Sequence, residues 1–94
     1  MNGGYFEWDD TKNLVNIEKH GISFYEAAEA FADPNRLIAH DILHSNSEER
    51  WFCYGKTRRG IATVRFTYRD QVIRIFGAGY WRQGKNKYNQ RGKR

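Results

Sequence analysis

The sequence predicts an α+β fold in which two N-terminal helices pack on a single antiparallel sheet of about four strands, and a short C-terminal helix follows. Two capped helix patterns come before Pro34, and four short strand-like runs with polar turns come after it. Strands at this spacing form an antiparallel meander, with one face available to the helices. A length of 94 residues suits one domain and not two, so residues 1–94 are predicted to be a single domain.

The first helix is predicted from Thr11 to His20. Before it, "YFEW" (5–8) alternates in polarity and suits either a short edge strand or an N-terminal arm. Asp9 or Asp10 can cap the helix, and Gly21 suits its end because glycine tolerates positive φ. A polar stripe at helical spacing runs along one side of this helix: Lys12, Asn16, Lys19 and His20.

The second helix begins at "SFYE" (23–26), a capping box in which Ser23 caps the first turn and Glu26 reaches back. It ends at "DPN" (33–35), because a residue before proline avoids the helical region. The strand-like runs that follow are 36–43, 50–56, 61–68 and 72–76, and "RQGKNKYNQ" (82–90) is a weak, basic helix.

Positive charge is concentrated at the C-terminal end. Residues 81–94 hold six basic residues and no acid, whereas residues 1–80 hold ten basic and all 11 acidic residues. This basic tail, about residues 82–94, suits a polyanion or an acidic protein partner, and the alternative is a tail that only aids solubility or is disordered.

A cytoplasmic protein is expected. The sequence starts without a basic and apolar leader pattern, and no apolar run approaches the ~18 residues of a membrane helix. The single cysteine, Cys53, lies in the aromatic run "RWFCYG" and is interpreted as a packed thiol, which fits a reducing compartment.

Motifs for metal, cofactor or nucleophilic chemistry are missing, so no metal and no cofactor are predicted. His20, His40 and His44 form no zinc motif, and Cys53 sits in no catalytic signature. The glycine-containing run "GAGYW" lacks the spacing and the lysine of a phosphate loop. Once these classes of site are excluded, the remaining possibility is metal-free acid–base chemistry beside a polyanion.

Arg65 and Arg74 are candidates for an anion site. A two-residue turn at Arg69–Asp70 places the two arginines directly opposite each other. A two-residue turn at Asp70–Gln71 shifts the pairing but keeps both arginines on the same face of the sheet. A three-residue loop separates them. Two guanidinium groups fit a phosphate well. The alternative is that either arginine pairs with Glu49 or another carboxylate on a solvated face.

RNA carries its own nucleophile, the 2′-OH, and its cleavage needs a base, an acid and cations at the phosphate. Lys19, His20 and Glu49 can exchange protons, and Arg65, Arg74 and Lys56 can stabilise charge. Tyr80 and Trp81 can stack on unpaired bases. A non-catalytic RNA- or protein-binding module shares most of these features. The catalytic interpretation also requires the Lys19–His20 helix end to face the Arg65 and Arg74 side of the sheet, since otherwise the pair is only a helix cap.

Three motifs carry a family resemblance over about residues 6–80: "FEWDDTKNLVNIEKHGISFYEAAEAFADP", "SEERW…YG" with Glu49, and "VRFTYRDQVIRI" with Arg69 and Arg74. With them the chain resembles the BrnT toxins of type II toxin–antitoxin systems. The resemblance implies a RelE-like fold and a ribonuclease that cleaves mRNA and inhibits translation. It also implies a ribbon-helix-helix antitoxin, BrnA, through which the complex binds its promoter DNA.

One departure from the family lies in "FGAGYW", where Gly79 stands at a position that often holds an arginine, and Tyr80 and Arg82 are the candidate substitutes. The prediction is a metal-independent endoribonuclease that acts by 2′-OH attack, with Lys19 or His20 as base or acid and Glu49 as a rival base. The predicted catalytic residues are Lys19, His20, Glu49, Arg65, Arg74 and Tyr80, and the predicted RNA-binding residues are Lys56, Arg69, Trp81 and Arg82.

Overall fold

The computed structural model describes residues 5–90, which form three α-helices and a five-stranded sheet. The predicted α+β class is confirmed. Two 3₁₀ turns, Glu29–Ala32 and Ile42–His44, complete the chain path. The strands are β1 (Phe6–Glu7), β2 (Leu37–His40), β3 (Trp51–Thr57), β4 (Gly60–Arg69) and β5 (Val72–Gly79), and the helices are α1 (Asp10–His20), α2 (Phe24–Ala28) and α3 (Arg82–Gln90).

The sheet has the order β1-β5-β4-β3-β2 and is mixed rather than purely antiparallel. Strands β2 to β5 form the predicted antiparallel meander. The expectation of about four antiparallel strands is wrong in one respect, because β1 pairs parallel with β5, with Phe6 opposite Ile73 and Glu7 opposite Arg74. This two-residue strand is held by hydrogen bonds to β5. The local sequence around it therefore indicates only that it could be an edge strand.

The helix caps predicted from the sequence are present. The Asp9 carboxylate accepts the Lys12 amide at 3.0 Å, and Gly21 ends α1 at φ 70°. Ser23 accepts the Glu26 amide at 3.0 Å. Glu26 does not reach back as the capping box predicts, because its carboxylate is bound by Arg59 and Tyr80 instead.

The core lies between one face of the sheet and the segment from α2 to the first 3₁₀ turn. Phe24, Ala27 and Ala30 are fully buried there, and so are Val64 and Phe66 of β4. Cys53 belongs to the same cluster, which confirms the packed thiol. Burial raises the pKa of Cys53 to about 12.

Helix α3 lies over β3 and β4 on the other face. Gly84 brings the helix backbone against Thr63 and Tyr54, where any side chain at residue 84 would collide with the sheet. The Tyr88 hydroxyl donates to the buried Asp33 carboxylate. The predicted C-terminal helix is confirmed, and the last basic residues of the predicted tail, Arg91, Lys93 and Arg94, lie outside the described residues.

Within residues 5–90, no helix is both long enough and apolar enough to span a membrane.

Candidate functional site

Asn16 fixes α1 beside the end of β5. Its side-chain oxygen accepts the Ala78 amide at 3.2 Å, and its nitrogen donates to the Ala78 carbonyl at 3.0 Å and to the Ile22 carbonyl at 2.9 Å. Strand β1 pairs only with Ile73 and Arg74, so the edge of β5 at Ala78 needs another partner. The Asn16 amide supplies the bonds of a neighbouring strand and thereby sets where the end of α1 lies.

A groove of about 400 Å³ lies between α1 and the sheet, and we call it the α1 groove. It contains Lys19 and His20 from the end of α1, and Arg65 from the middle of β4. The helix end therefore faces the Arg65 side of the sheet, which the catalytic interpretation requires. The full lining is Thr11, Lys12, Val15, Asn16, Lys19, His20, Arg65, Phe76, Gly77, Ala78 and Trp81.

Two arginines lie at the ring of Phe76, which lines this groove together with one of them, Arg65. The guanidinium carbons of Arg50 and Arg65 lie 5.0 and 5.1 Å from the Phe76 ring centre. Phe76 is the extra residue of a bulge, since Phe66 pairs with Ile75 and Arg65 pairs with Gly77. Neither arginine has a carboxylate partner within residues 5–90. Two such cations favour an anion between or above them.

Trp81 is the residue of the α1 groove that follows β5 in the chain. Its ring meets the His20 ring edge-on, with centres 5.2 Å apart. The indole packs on Gly79, where a Cβ atom would lie 2.5 Å from the indole Cζ2. Gly79 therefore makes room for the tryptophan two residues after it.

Arg74 and Arg69 lie in ion pairs. Arg74 donates to the Glu7 carboxylate at 2.7 Å, and Arg69 lies 3.2 Å from the Glu48 carboxylate. The β4–β5 turn falls at Asp70 and Gln71, both with positive φ, and this two-residue turn places Arg74 opposite Thr67. Arg65 and Arg74 thus share a face without standing opposite each other.

Glu49 lies away from the α1 groove. Its carboxylate pairs with His40 of β2, the strand at the far edge of the sheet from α1. The structure therefore brings Lys19, His20 and Arg65 together but does not bring Glu49 to them.

A second, larger groove of about 810 Å³ lies beside the β3–β4 turn and the start of α3, and we call it the hairpin groove. It contains the predicted residues Lys56, Tyr80 and Arg82, and it shares Trp81 with the α1 groove. Its full lining is Lys56, Thr57, Arg59, Gly60, Ile61, Tyr80, Trp81, Arg82, Lys85 and Asn86.

Tyr80 is held in a polar network that the sequence does not reveal. Its hydroxyl donates to the Glu26 carboxylate and contacts the Thr57 hydroxyl, while Arg59 donates to Glu26 at 2.6 Å. Burial raises the pKa of Glu26, but the bonds from Arg59 and Tyr80 outweigh this and leave the pKa lowered. Burial and the Glu26 bond raise the pKa of Tyr80. Tyr80 is therefore a protonated donor.

Within the described part of the chain, no group of three or more histidine, cysteine, aspartate or glutamate side chains is arranged to hold a metal ion.

The family described as "Ribonuclease toxin, BrnT, of type II toxin-antitoxin system" matches residues 8–91. Comparison with curated proteins finds no match.

Proposed function

The chain belongs to the BrnT family of ribonuclease toxins of type II toxin–antitoxin systems, and from this membership we propose that it cleaves mRNA without a metal ion and so inhibits translation. The reaction takes place in the α1 groove. The observation that carries the proposal is that Lys19, His20 and Arg65 line the same groove although they come from different elements.

Cleavage proceeds by attack of the RNA 2′ oxygen on the adjacent phosphorus. The bond from this oxygen to phosphorus forms and the bond to the 5′ oxygen breaks, which leaves a 2′,3′-cyclic phosphate and a 5′-hydroxyl end. One group takes the 2′-OH proton and another gives a proton to the 5′ oxygen. Lys19 and His20, as neighbours at the helix end, share these two roles.

Arg65 stabilises the charge that develops on the phosphate oxygens. Arg50 is the second phosphate ligand, because it lies at the same Phe76 ring and has no carboxylate partner in the described chain. Arg74 contributes less, since Glu7 already neutralises it. The sequence also makes Glu49 a candidate base. Its ion pair with His40 makes that role less favourable.

The partner of a type II toxin is an antitoxin protein. We propose a BrnA-like ribbon-helix-helix protein that neutralises this chain and carries the promoter DNA contact of the complex. We expect both proteins to act in the cytoplasm, where mRNA is translated.

The test is cleavage of a defined RNA by purified protein, with and without EDTA. Loss of general acid–base catalysis lowers rates by about 10²–10⁴-fold, so we expect His20→Ala and Lys19→Ala to lower kcat by that order. Their RNA binding should stay close to that of the unchanged protein. Glu18→Ala is the matched control, because Glu18 is exposed on the same helix and does not line the groove.

Two results would contradict the proposal. Cleavage that stops in EDTA would show a metal requirement. Binding of RNA with no cleavage by the unchanged protein would favour the non-catalytic binding module instead.

A further inference from the structure

We propose that the α1 groove and the hairpin groove form one continuous track for single-stranded RNA, with Trp81 as the base-stacking platform between them. This inference rests on the proposed ribonuclease function and deepens it. The α1 groove holds the phosphate that is cleaved. The hairpin groove holds the nucleotides beside it, and so determines how long an RNA must be to bind well.

Trp81 links the two grooves physically. It lines both of them, and it stands between the last residue of β5 and the first turn of α3. Its side chain remains 39% exposed although one end packs on Gly79. An exposed indole beside a row of cations is the arrangement on which unpaired bases stack.

The charge of the hairpin groove suits a polyanion. Lys56, Arg82 and Lys85 are exposed, and none of their side-chain cations forms an ion pair among the residues that the structure describes. Arg59 alone among the basic residues of this groove is neutralised, by Glu26. Three exposed cations that form no ion pair and line the hairpin groove beside Trp81 can follow the phosphates of a strand that continues out of the α1 groove.

The size and openness of the hairpin groove favour a single strand. A volume of about 810 Å³ lies within the range of pockets, ~300–1,000 Å³, that enclose ligands as large as a nucleotide. Bases in a duplex are paired and stacked on each other, so they cannot lie on an indole. An acidic protein segment would use the cations but would have no need of an exposed ring at the junction, and RNA therefore explains more of the site.

The experiment measures cleavage of a length series of single-stranded RNAs that share one cleavage site, from three nucleotides to about ten. Lys56→Gln and Lys85→Gln each remove one cation from the hairpin groove. We expect each to raise KM for the long RNA several-fold, to leave kcat unchanged, and to have no effect on the trinucleotide. Arg58→Gln is the matched control, because Arg58 lies in the same β3–β4 turn, lines neither groove and is paired with Glu29.

Trp81 is tested separately by two substitutions. Removal of a stacking ring weakens binding by about tenfold, so Trp81→Ala should raise KM for the long RNA by that order. Trp81→Phe keeps a smaller ring and should recover part of the loss. Melting temperatures of all variants verify that the fold is retained.

The outcomes separate this inference from the proposed function. If the unchanged protein cleaves no RNA, the ribonuclease proposal itself fails. If it cleaves RNA but Lys56→Gln and Lys85→Gln behave like Arg58→Gln on every length, the track is refuted. If these two variants keep their KM for RNA but lose affinity for the antitoxin, the hairpin groove binds protein and the track is again refuted.

Discussion

The indole of Trp81 fills the space that a side chain at Gly79 would need, since a Cβ atom there would lie 2.5 Å from the ring. The two residues therefore depend on each other. An arginine at residue 79 and an indole packed at this place are mutually exclusive. The glycine at residue 79 thus leaves room for an aromatic ring that meets His20 edge-on.

Gly79→Ala should move the Trp81 ring without unfolding the protein, because the ring is a partly exposed side chain that can give way. We expect a shifted indole NMR signal, assigned with Trp81→Phe, and a KM for RNA raised several-fold. The free energy of unfolding should fall by only about 1 kcal/mol, at the low end of what single substitutions cost, because the ring can move aside. An unshifted indole signal would show that Trp81 does not pack on residue 79.

Asn16→Ala should weaken both the fold and the reaction. Asn16 is 7% exposed, and its loss leaves the Ala78 amide and carbonyl and the Ile22 carbonyl without their partner. Each unsatisfied buried group costs ~1–3 kcal/mol, so we expect the free energy of unfolding to fall by about 3 kcal/mol.

Cleavage by Asn16→Ala, measured where the variant is still folded, should fall as well, because Asn16 sets the position of Lys19 and His20. Asn89→Ala removes an exposed amide from α3 and is the control. Equal urea denaturation curves for the two variants would contradict the anchoring role of Asn16.

The elements that could be predicted from the sequence are those with local causes. The cap hydrogen bonds of Asp9, Ser23 and Gly21 reach no further than one helical turn along the chain, so these caps can be predicted from the sequence. The parallel pairing of β1 could not be predicted, because two residues form a strand only through β5. The bulge at Phe76 likewise depends on the register between β4 and β5.

In the candidate site too, the features with local causes could be predicted and those that depend on distant residues could not. The polar stripe of α1 indicated Lys19 and His20, and the structure confirms that this helix end faces the Arg65 side of the sheet. The contacts of Glu26 differ from the capping-box prediction, because that pattern explains a glutamate at this position without any distant partner. Its contacts with Arg59 and Tyr80 join residues 33 and 54 positions away, which no local pattern reveals.

Cys53 should resist alkylation in the native protein. Its thiol is fully buried, and burial raises its pKa to about 12, so almost no reactive thiolate is present at pH 8. We expect iodoacetamide to label it at least about 100-fold faster in 6 M guanidinium chloride than in buffer, as followed by mass spectrometry. Rapid native labelling would contradict the packing of β3 against the core.

Acid should destabilise the fold through Asp33 and Glu26. Although burial raises the pKa of Asp33, hydrogen bonds from Tyr88 and from the Lys56 and Asn35 amides outweigh it and leave the pKa lowered. The pKa of Glu26 is lowered for a similar reason. A carboxyl whose pKa is lower in the folded state stabilises the fold above its unfolded pKa, and this stabilisation is lost as the pH falls through the folded value.

The free energy of unfolding should therefore be constant near neutral pH and should fall below about pH 4, as measured by urea denaturation. Asp33→Asn and Glu26→Gln should each be less stable than the unchanged protein at pH 7 and should lose less stability on acidification. Tyr88→Phe should behave like a weaker form of Asp33→Asn, because it removes one of the bonds that lower the Asp33 pKa. Glu18→Gln, at an exposed carboxyl, should keep the full pH dependence, and an equal slope for Asp33→Asn and Glu18→Gln would refute the role of the buried carboxylates.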